Sequence, residues 1–269
     1  MKRSLYRILY GLGVTRLAAW WNRGRVMILC YHGVTARGER MPDDPTGLHI
    51  RAERFESQLE HLRRRYRVLP LCEYLAARRE GRRLPPRSVV ITFDDGYRNF
   101  YTMAAPRLRE RDLPAALFLT VGEIGAAPRG DSGGWEPEDD VRYLSWPEVL
   151  ELRGRGVEIG SHTYTHPMLS RLPVEEAERE LRESLAEVAR RTGEPAPPFA
   201  YPFGDYTPQL AERANALGYS CALTTDAGAN DDRADLYALR RVLVGDDDDE
   251  PAFAARVSGL AALLARARS

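Results

Sequence analysis

From residue 26 onward the chain alternates runs rich in strand-forming residues with amphipathic helical runs, the pattern that leads to a parallel sheet wrapped by helices. VMILCYHGV reads as a first buried strand, FESQLEHLRRRY and LCEYLAARRE as helices, SVVITFDD as a strand, FYTMAAPRLRERD as a helix and AALFLTV as a third strand. Ser145 is a cap for the helix in SWPEVLELRGRG, with Pro147 in its first turn, and VEIGSH follows as a strand. Residues 173–192 give the longest helix, whose dense acid and base pairs read as a solvated face. FAYPFG, a helix around TPQLAERANALG, then YSCALTT and LRRVLV complete the alternation. A parallel sheet puts its chemistry at the carboxyl ends of its strands, and the unusual polar residues of this chain fall at those ends.

With 269 residues, 43% of them hydrophobic, the chain can bury a sizeable core, and one α/β domain fits as well as two small ones. Its 39 basic residues balance 39 acidic ones, so no global field argues for a nucleic acid or a strongly acidic partner. Cys30, Cys72 and Cys221 show neither a disulfide framework nor zinc-knuckle spacing and read as buried thiols. No run of about twenty apolar residues is present, so a membrane-crossing helix is not expected.

The chain divides into a basic amphipathic segment (1–25), an α/β domain (26–244), and an acidic linker with a terminal helix (245–269). The first segment carries Lys2, Arg3, Arg7, Arg16, Arg23 and Arg25, with no acid before Glu39. Arg7 and Arg16 interrupt the apolar stretch that a secretion signal needs. Leu5, Ile8, Leu9 and Leu12 recur at helical spacing, with Trp20 and Trp21 behind them. Two readings stand level: an interfacial helix on anionic lipid, and a helix packed on its own domain with a solvated basic face. Residues 124–142, rich in Gly, Pro and acids, look like a surface excursion and a candidate lid. GDDDDE, residues 245–250, reads as a solvated linker, since the spacing of a calcium loop is absent.

Asp94 and Asp95 follow VVITF directly, and Gly96 lets the chain turn. Neighbouring strand side chains point to opposite sides, so two carboxylates at a strand mouth can serve different partners. Taken alone, the pair reads more readily as a helix cap plus an exposed acid. His162 and His166 change that balance, because they follow VEIGSH with three residues between them, a spacing metal sites often use. Pro167 keeps His166 out of the helical region, so a loop folding back would bring the two imidazoles together. Two loop histidines without a metal remain the plainer alternative. An Asp and two His supply the three protein ligands of a catalytic zinc site, which keeps a fourth position open. Such a metal acidifies its water while a free carboxylate takes the proton, so Asp95 is the ligand and Asp94 the base.

TFDDG at 92–96 and SHTYTH at 161–166 resemble the first two motifs of the polysaccharide deacetylases, the NodB-homology family of carbohydrate esterase family 4. LSWPEVLEL and EIGSHTYTHP strengthen the resemblance, which extends over roughly residues 26–243. It implies an irregular (β/α) barrel, a zinc or similar divalent ion held by Asp95, His162 and His166, and Asp94 as general base. The family's third motif reads Arg, any residue, Pro, aromatic, Gly, but here it is AYPFG, with Ala200 in the arginine's place. Arg241 is the candidate replacement, with a surface strand arginine as the level alternative. The backbone N–H of Phe203 matches the family's oxyanion donor. No histidine follows His166, so the usual general acid is missing too. ILCYHGV resembles the amino-terminal YH motif of family members with circularly shifted motifs, which gives the acid role to His32; a hydrogen-bonded core histidine is the alternative. His49 and His61 match no motif and read as surface residues.

The resulting expectation is a metal-dependent N-deacetylase of an N-acetylated sugar in a cell-envelope or exopolysaccharide glycan. Its substrate could be lipid-linked and handled at the cytoplasmic, inner face of the membrane, with residues 1–22 making peripheral contact. The competing expectations are a carbohydrate-binding pseudoenzyme and a metal-dependent hydrolase or deformylase of a non-polysaccharide amide.

Overall fold

The protein is described by a computed structural model covering residues 2–36, 47–125 and 142–267. Two helices open the chain, α1 (Lys2–Gly11) and α2 (Val14–Trp21), followed by β1 (Met27–Tyr31), β2 (Gly33–Thr35) and β3 (His49–Arg51). Next come α3 (Ala52–Arg65), β4 (Arg67–Val68), α4 (Leu71–Glu80), β5 (Ser88–Phe93), a π-helical turn (Phe100–Ala104) running into α5 (Ala105–Arg109), and β6 (Ala116–Leu119). The second half contains α6 (Trp146–Gly154), β7 (Glu158–Ser161), α7 (Val174–Thr192), β8 (Phe199–Ala200), α8 (Pro208–Leu217), β9 (Ala222–Leu223), β10 (Val242–Leu243), α9 (Glu250–Val257) and α10 (Leu260–Arg266). Of the candidate lid at residues 124–142, residues 126–141 lie outside the described residues.

Eight strands form one parallel sheet in the order β10-β1-β5-β6-β7-β8-β9, with β4 also paired to β5, while β2 and β3 make a separate parallel pair. All five residues of β1 and all six of β5 are buried, as expected of strands covered on both faces. Alternation decides what covers each side. Leu29, Tyr31, Ile91, Phe93 and Leu117 pack outward with Phe55, Leu59 and Leu62 of α3 and Phe253 of α9. Ile28, Val90, Phe118, Ala200 and Leu223 share a second cluster with Leu71, Tyr74 and Leu75 of α4. The first amides of α4 donate to the Glu158 carboxylate at the start of β7, at 2.6 and 2.8 Å, fixing this helix at the amino ends of the strands.

The sheet curls into the expected irregular barrel, and residues 239–243 close its seam. Leu239 bridges Leu223 of β9 on one side, while Val242 and Leu243 pair with Leu29 and Cys30 of β1 on the other. Ser145 caps α6 with a reciprocal capping box, as its position before Pro147 predicts.

Four expectations are corrected. The Asp run is not a solvated linker: Asp246 and Asp248 are buried, because Arg51 reaches Asp246 and Arg256 reaches Asp248. His61 is buried against Phe253 and Tyr66, and His49 is half-buried with its ring 4.9 Å from Tyr97. Cys72 is exposed, since it sits in the first turn of α4, while Cys30 and Cys221 are buried. FYTMAAPRLRERD is not one regular helix but the π-helical turn followed by α5.

Candidate active site

Every residue singled out for chemistry lies beyond the carboxyl end of a strand or in the barrel seam. Asp94 and Asp95 follow β5, His32 follows β1, His162 follows β7, Phe203 lies in the turn after β8, and Arg241 directly precedes β10. The two aspartates serve one pocket because the strand does not continue through them. Asp95 takes φ 72° and Gly96 φ 85°, so the chain turns at once. Thr163 (φ 65°), His166 (φ 62°) and Phe203 (φ 59°) share this left-handed backbone, which costs a non-glycine residue free energy and gathers at functional sites. His166 is thus non-helical, as Pro167 requires, though it adopts the left-handed region rather than the extended one.

Asp95, His162 and His166 converge. Asp95 Oδ1 lies 3.4 Å from His162 Nε2 and 3.4 Å from His166 Nε2, and the two Nε2 atoms are 3.2 Å apart. Metal–ligand bonds of 2.0–2.1 Å in a tetrahedral array put neighbouring ligand atoms about 3.3 Å apart, so these three edges fit one face of such a site. Asp95 Oδ1 is buried without a hydrogen-bond partner, which marks it as an acceptor awaiting a cation. His162 Nδ1 lies 2.8 Å from the Ala200 carbonyl, and a proton donated there leaves the Nε2 lone pair facing the cluster. Burial would push Asp95 up, but the close imidazoles of His162 and His166 hold it well below the usual carboxylate range. Burial lowers His162, while the charge of Asp94 and the contact with Asp95 bring it above its ordinary value.

Asp94 faces a different partner. Arg241 is fully buried and grips it with two bonds, Nη1 to Oδ1 at 2.7 Å and Nη2 to Oδ2 at 2.6 Å. The guanidinium is itself aimed by Nε donating to the Thr224 carbonyl at 2.8 Å and Nη1 to Thr92 Oγ1 at 3.3 Å. Burial raises the Asp94 carboxyl, yet Arg241 outweighs it and takes the group down to about 2. The surface-arginine alternative for Arg241 therefore fails. The Cys30 thiol adds a weak donor to Asp94 Oδ2 at 3.4 Å. His32 stands beside this group, with ligand atoms of Cys30, His32 and Asp94 all within 4.8 Å of one another. Burial lowers His32, and Asp95 and Asp94 oppose that shift. A Cβ on Gly33 would lie 2.2 Å from His49 Cδ2 and 2.7 Å from Asn99 Nδ2, so only glycine fits after His32.

Three contributors lie outside the site residues assigned from the sequence. Ala200, singled out for the arginine it lacks, acts through its carbonyl. Cys30 could have been found from the strand period, which puts it on the side of His32 that faces Asp94. Glu180, one of many acids on α7, accepts from the Tyr164 and Thr165 amides at 2.8 and 2.9 Å and from the Thr165 hydroxyl at 2.7 Å. It pins the loop that carries His166 and is no part of a merely solvated face.

With this geometry established, the sequence matches the polysaccharide deacetylase family over residues 81–222, more than half of the chain. The chain belongs to that family. It is accordingly a hydrolase of carbon–nitrogen bonds other than peptide bonds. YxkH of Bacillus subtilis (strain 168), whose name places it with the polysaccharide deacetylases, is 25% identical over 237 residues, covering 88% of this chain and 77% of its own. The poly-β-1,6-N-acetyl-D-glucosamine N-deacetylase of Escherichia coli (strain K12) is 28% identical over 268 residues, and the match spans 88% of this chain but only 39% of that relative. The solved structure of IcaB from Ammonifex degensii superposes with a TM-score of 0.71 at 26% identity, over 87% of this chain and 97% of that one. Among the described residues of this polysaccharide deacetylase, no helix is long and apolar enough to cross a membrane.

Proposed function

We propose that this deacetylase removes acetyl groups from N-acetylated sugars of an exopolysaccharide or cell-envelope glycan, with a β-1,6-linked poly-N-acetylglucosamine as the first substrate to test. The observation that carries the reading is the arrangement of the two aspartates: Asp95 closes a three-ligand face with His162 and His166, while Asp94 is held ionised by Arg241 a few ångströms away. Names of the relatives from E. coli and Staphylococcus aureus support the choice of glycan.

Asp95, His162 and His166 are the residues that would hold the divalent ion, and zinc suits a donor set of two imidazoles and one carboxylate. When bound, the ion supplies Lewis-acid polarisation of the acetyl carbonyl and a water of lowered pKa. Asp94, ionised at neutral pH, accepts the proton of the attacking water. Arg241 orients Asp94 in the way the arginine missing from AYPFG would. The Phe203 amide donates to the developing oxyanion, on a turn whose ring packs 4.7 Å from His166. His32 passes a proton to the departing amine, which is otherwise a poor leaving group. A lipid-linked saccharide is the finer form of the substrate, suggested by the basic amphipathic residues 1–22 that would bring the enzyme to a membrane surface.

Acetate release from free and lipid-linked N-acetylglucosamine oligomers, with chelator and then with zinc restored, tests the proposal. Release that stops with chelator and returns with zinc is expected; release indifferent to chelator, or none from any N-acetylated sugar, sinks it.

A further inference from the structure

We infer that the outward face of α1 and α2 is a docking face for an anionic lipid surface, and that Arg16, Arg23 and Arg25, in and just after α2, provide its charge rather than Arg3 and Arg7 of α1. One side of the helix pair is used up inside the protein. Tyr6, Leu9, Val14 and Ala18 pack with Ala255, Leu260 and Leu264 of the two C-terminal helices. Two arginines of α1 are also engaged, Arg3 with Asp247 and Arg7 with Nη2 3.0 Å from Asp249 Oδ2, and beside them the Tyr10 hydroxyl donates to Glu250 at 2.6 Å. The segment thus packs on its own protein, as one of the two sequence readings has it, and still presents a second face.

That second face is apolar and basic. Ile8, Leu12, Leu17 and Trp21 are between 60% and 74% exposed, and Trp20 is half exposed. Five large apolar side chains standing out from two adjoining helices forgo burial, so the face calls for an occupant. Arg16, Arg23 and Arg25 are exposed in and just after α2 and form no ion pair among the described residues; Arg23 instead lies 4.2 Å over the Trp20 ring, and Arg25 bonds Asn22. Since the first acid of the chain is Glu39, no carboxylate sits within the segment.

These features choose between occupants. A second copy related by a two-fold axis would set three arginines against the same three arginines with no acid between them, which opposes a dimer. An anionic bilayer surface answers both parts at once, taking indoles and aliphatic side chains at the headgroup boundary and guanidinium groups at the phosphates. The inference deepens the lipid-linked reading of the substrate by naming the surface that would meet the membrane, and it stands on residues remote in sequence from the site.

The test uses the full chain and vesicles of phosphatidylcholine with and without phosphatidylglycerol, read by co-sedimentation and by the tryptophan emission maximum. Wild-type protein should bind the anionic vesicles with a blue shift. The Leu17→Glu/Trp21→Glu variant, altered only at exposed positions, should lose at least about tenfold in partitioning. Arg16→Gln/Arg23→Gln should weaken binding and flatten its salt dependence. Wild-type acetate release from a soluble acetylated oligosaccharide in the double variant shows that the loss is not misfolding. Wild-type protein that ignores both vesicle types, an exposed-face variant that binds normally, or a wild-type dimer that the variant turns into a monomer overturns the inference. Vesicle binding without acetate release in wild type would remove the catalytic reading and leave the docking face standing.

Discussion

Two runs of aspartate in this chain end up in opposite situations. In GDDDDE each described acceptor has found its donor: Asp246 takes the Arg51 amide and guanidinium at 3.1 and 3.0 Å, Asp248 takes Arg256 at 2.6 Å and the Gly245 amide at 3.0 Å, and Asp249 caps α9 through the Ala252 amide at 3.1 Å. In TFDDG only Asp94 is so matched. Asp95 keeps a buried oxygen aimed at two imidazole nitrogens that can themselves act as lone-pair donors. Acid density does not separate a structural hub from a metal site. The difference is whether one acceptor is left over: Asp95 Oδ1 faces two lone-pair donors, an arrangement that a divalent cation would complete.

The strongest way to break this contrast is to neutralise one member of each run. Asp95→Asn should lose zinc binding and nearly all turnover, and its melting temperature should no longer rise with zinc; wild-type protein should gain about 2.7 kcal/mol when free zinc is 100-fold above its Kd. Asp246→Asn should show the reverse: a lower starting stability, by about 1–3 kcal/mol given its partly exposed arginine, with the zinc response and turnover per folded molecule kept. If the two variants exchange phenotypes, the distinction between site and hub is wrong.

Arg241→Met, measured by denaturant unfolding, should cost about 3–5 kcal/mol because it strands a buried carboxylate, and Arg241→Lys should restore little, having no two-pronged fork. The same pair sets an acid limit. Asp94 sits at about 2 in the folded protein, below an unfolded value of about 3.9, so the native state binds fewer protons there. Its contribution is complete above about pH 4 and disappears as pH falls through about 2, which an acid titration of the chelated protein followed by circular dichroism would show.

Sharpening the contrast needs smaller changes. Glu180→Gln should weaken zinc affinity by about 10–100-fold, because the loop carrying His166 loses its anchor while the ligands stay. Cys30→Ala should lower kcat a few-fold at unchanged KM, with Cys30→Ser recovering part of it, as expected of a weak donor that orients Asp94. A Cys30→Ala enzyme with wild-type kcat would take the thiol out of the site.

Much of this was legible because period and punctuation are local properties. The strands read from VMILC, SVVITF, AALFL and VEIGS are present at those places, and the doublet, the two histidines and Arg241 do come together. What stayed hidden depends on the chain meeting itself. Nothing in FESQLEHLRRRY announces that His61 is buried, since that follows from α9 arriving with Phe253. The solvated reading of GDDDDE failed because Arg51 and Arg256 are invisible as partners until the fold juxtaposes them. Glu180 and the Ala200 carbonyl act through a long-range contact and a backbone atom, and a residue alphabet encodes neither.

The seam of the barrel has a kinetic corollary. Leu239 and Val242 zip the first strand to the last in the same few residues that carry Arg241, so shutting the ring and steadying Asp94 are a single event. A molecule still open at that edge could hold Asp95, His162 and His166 together yet leave Asp94 unsteadied, and on the proposed mechanism competence for hydrolysis would arrive last, as a certificate that the whole cylinder has been assembled.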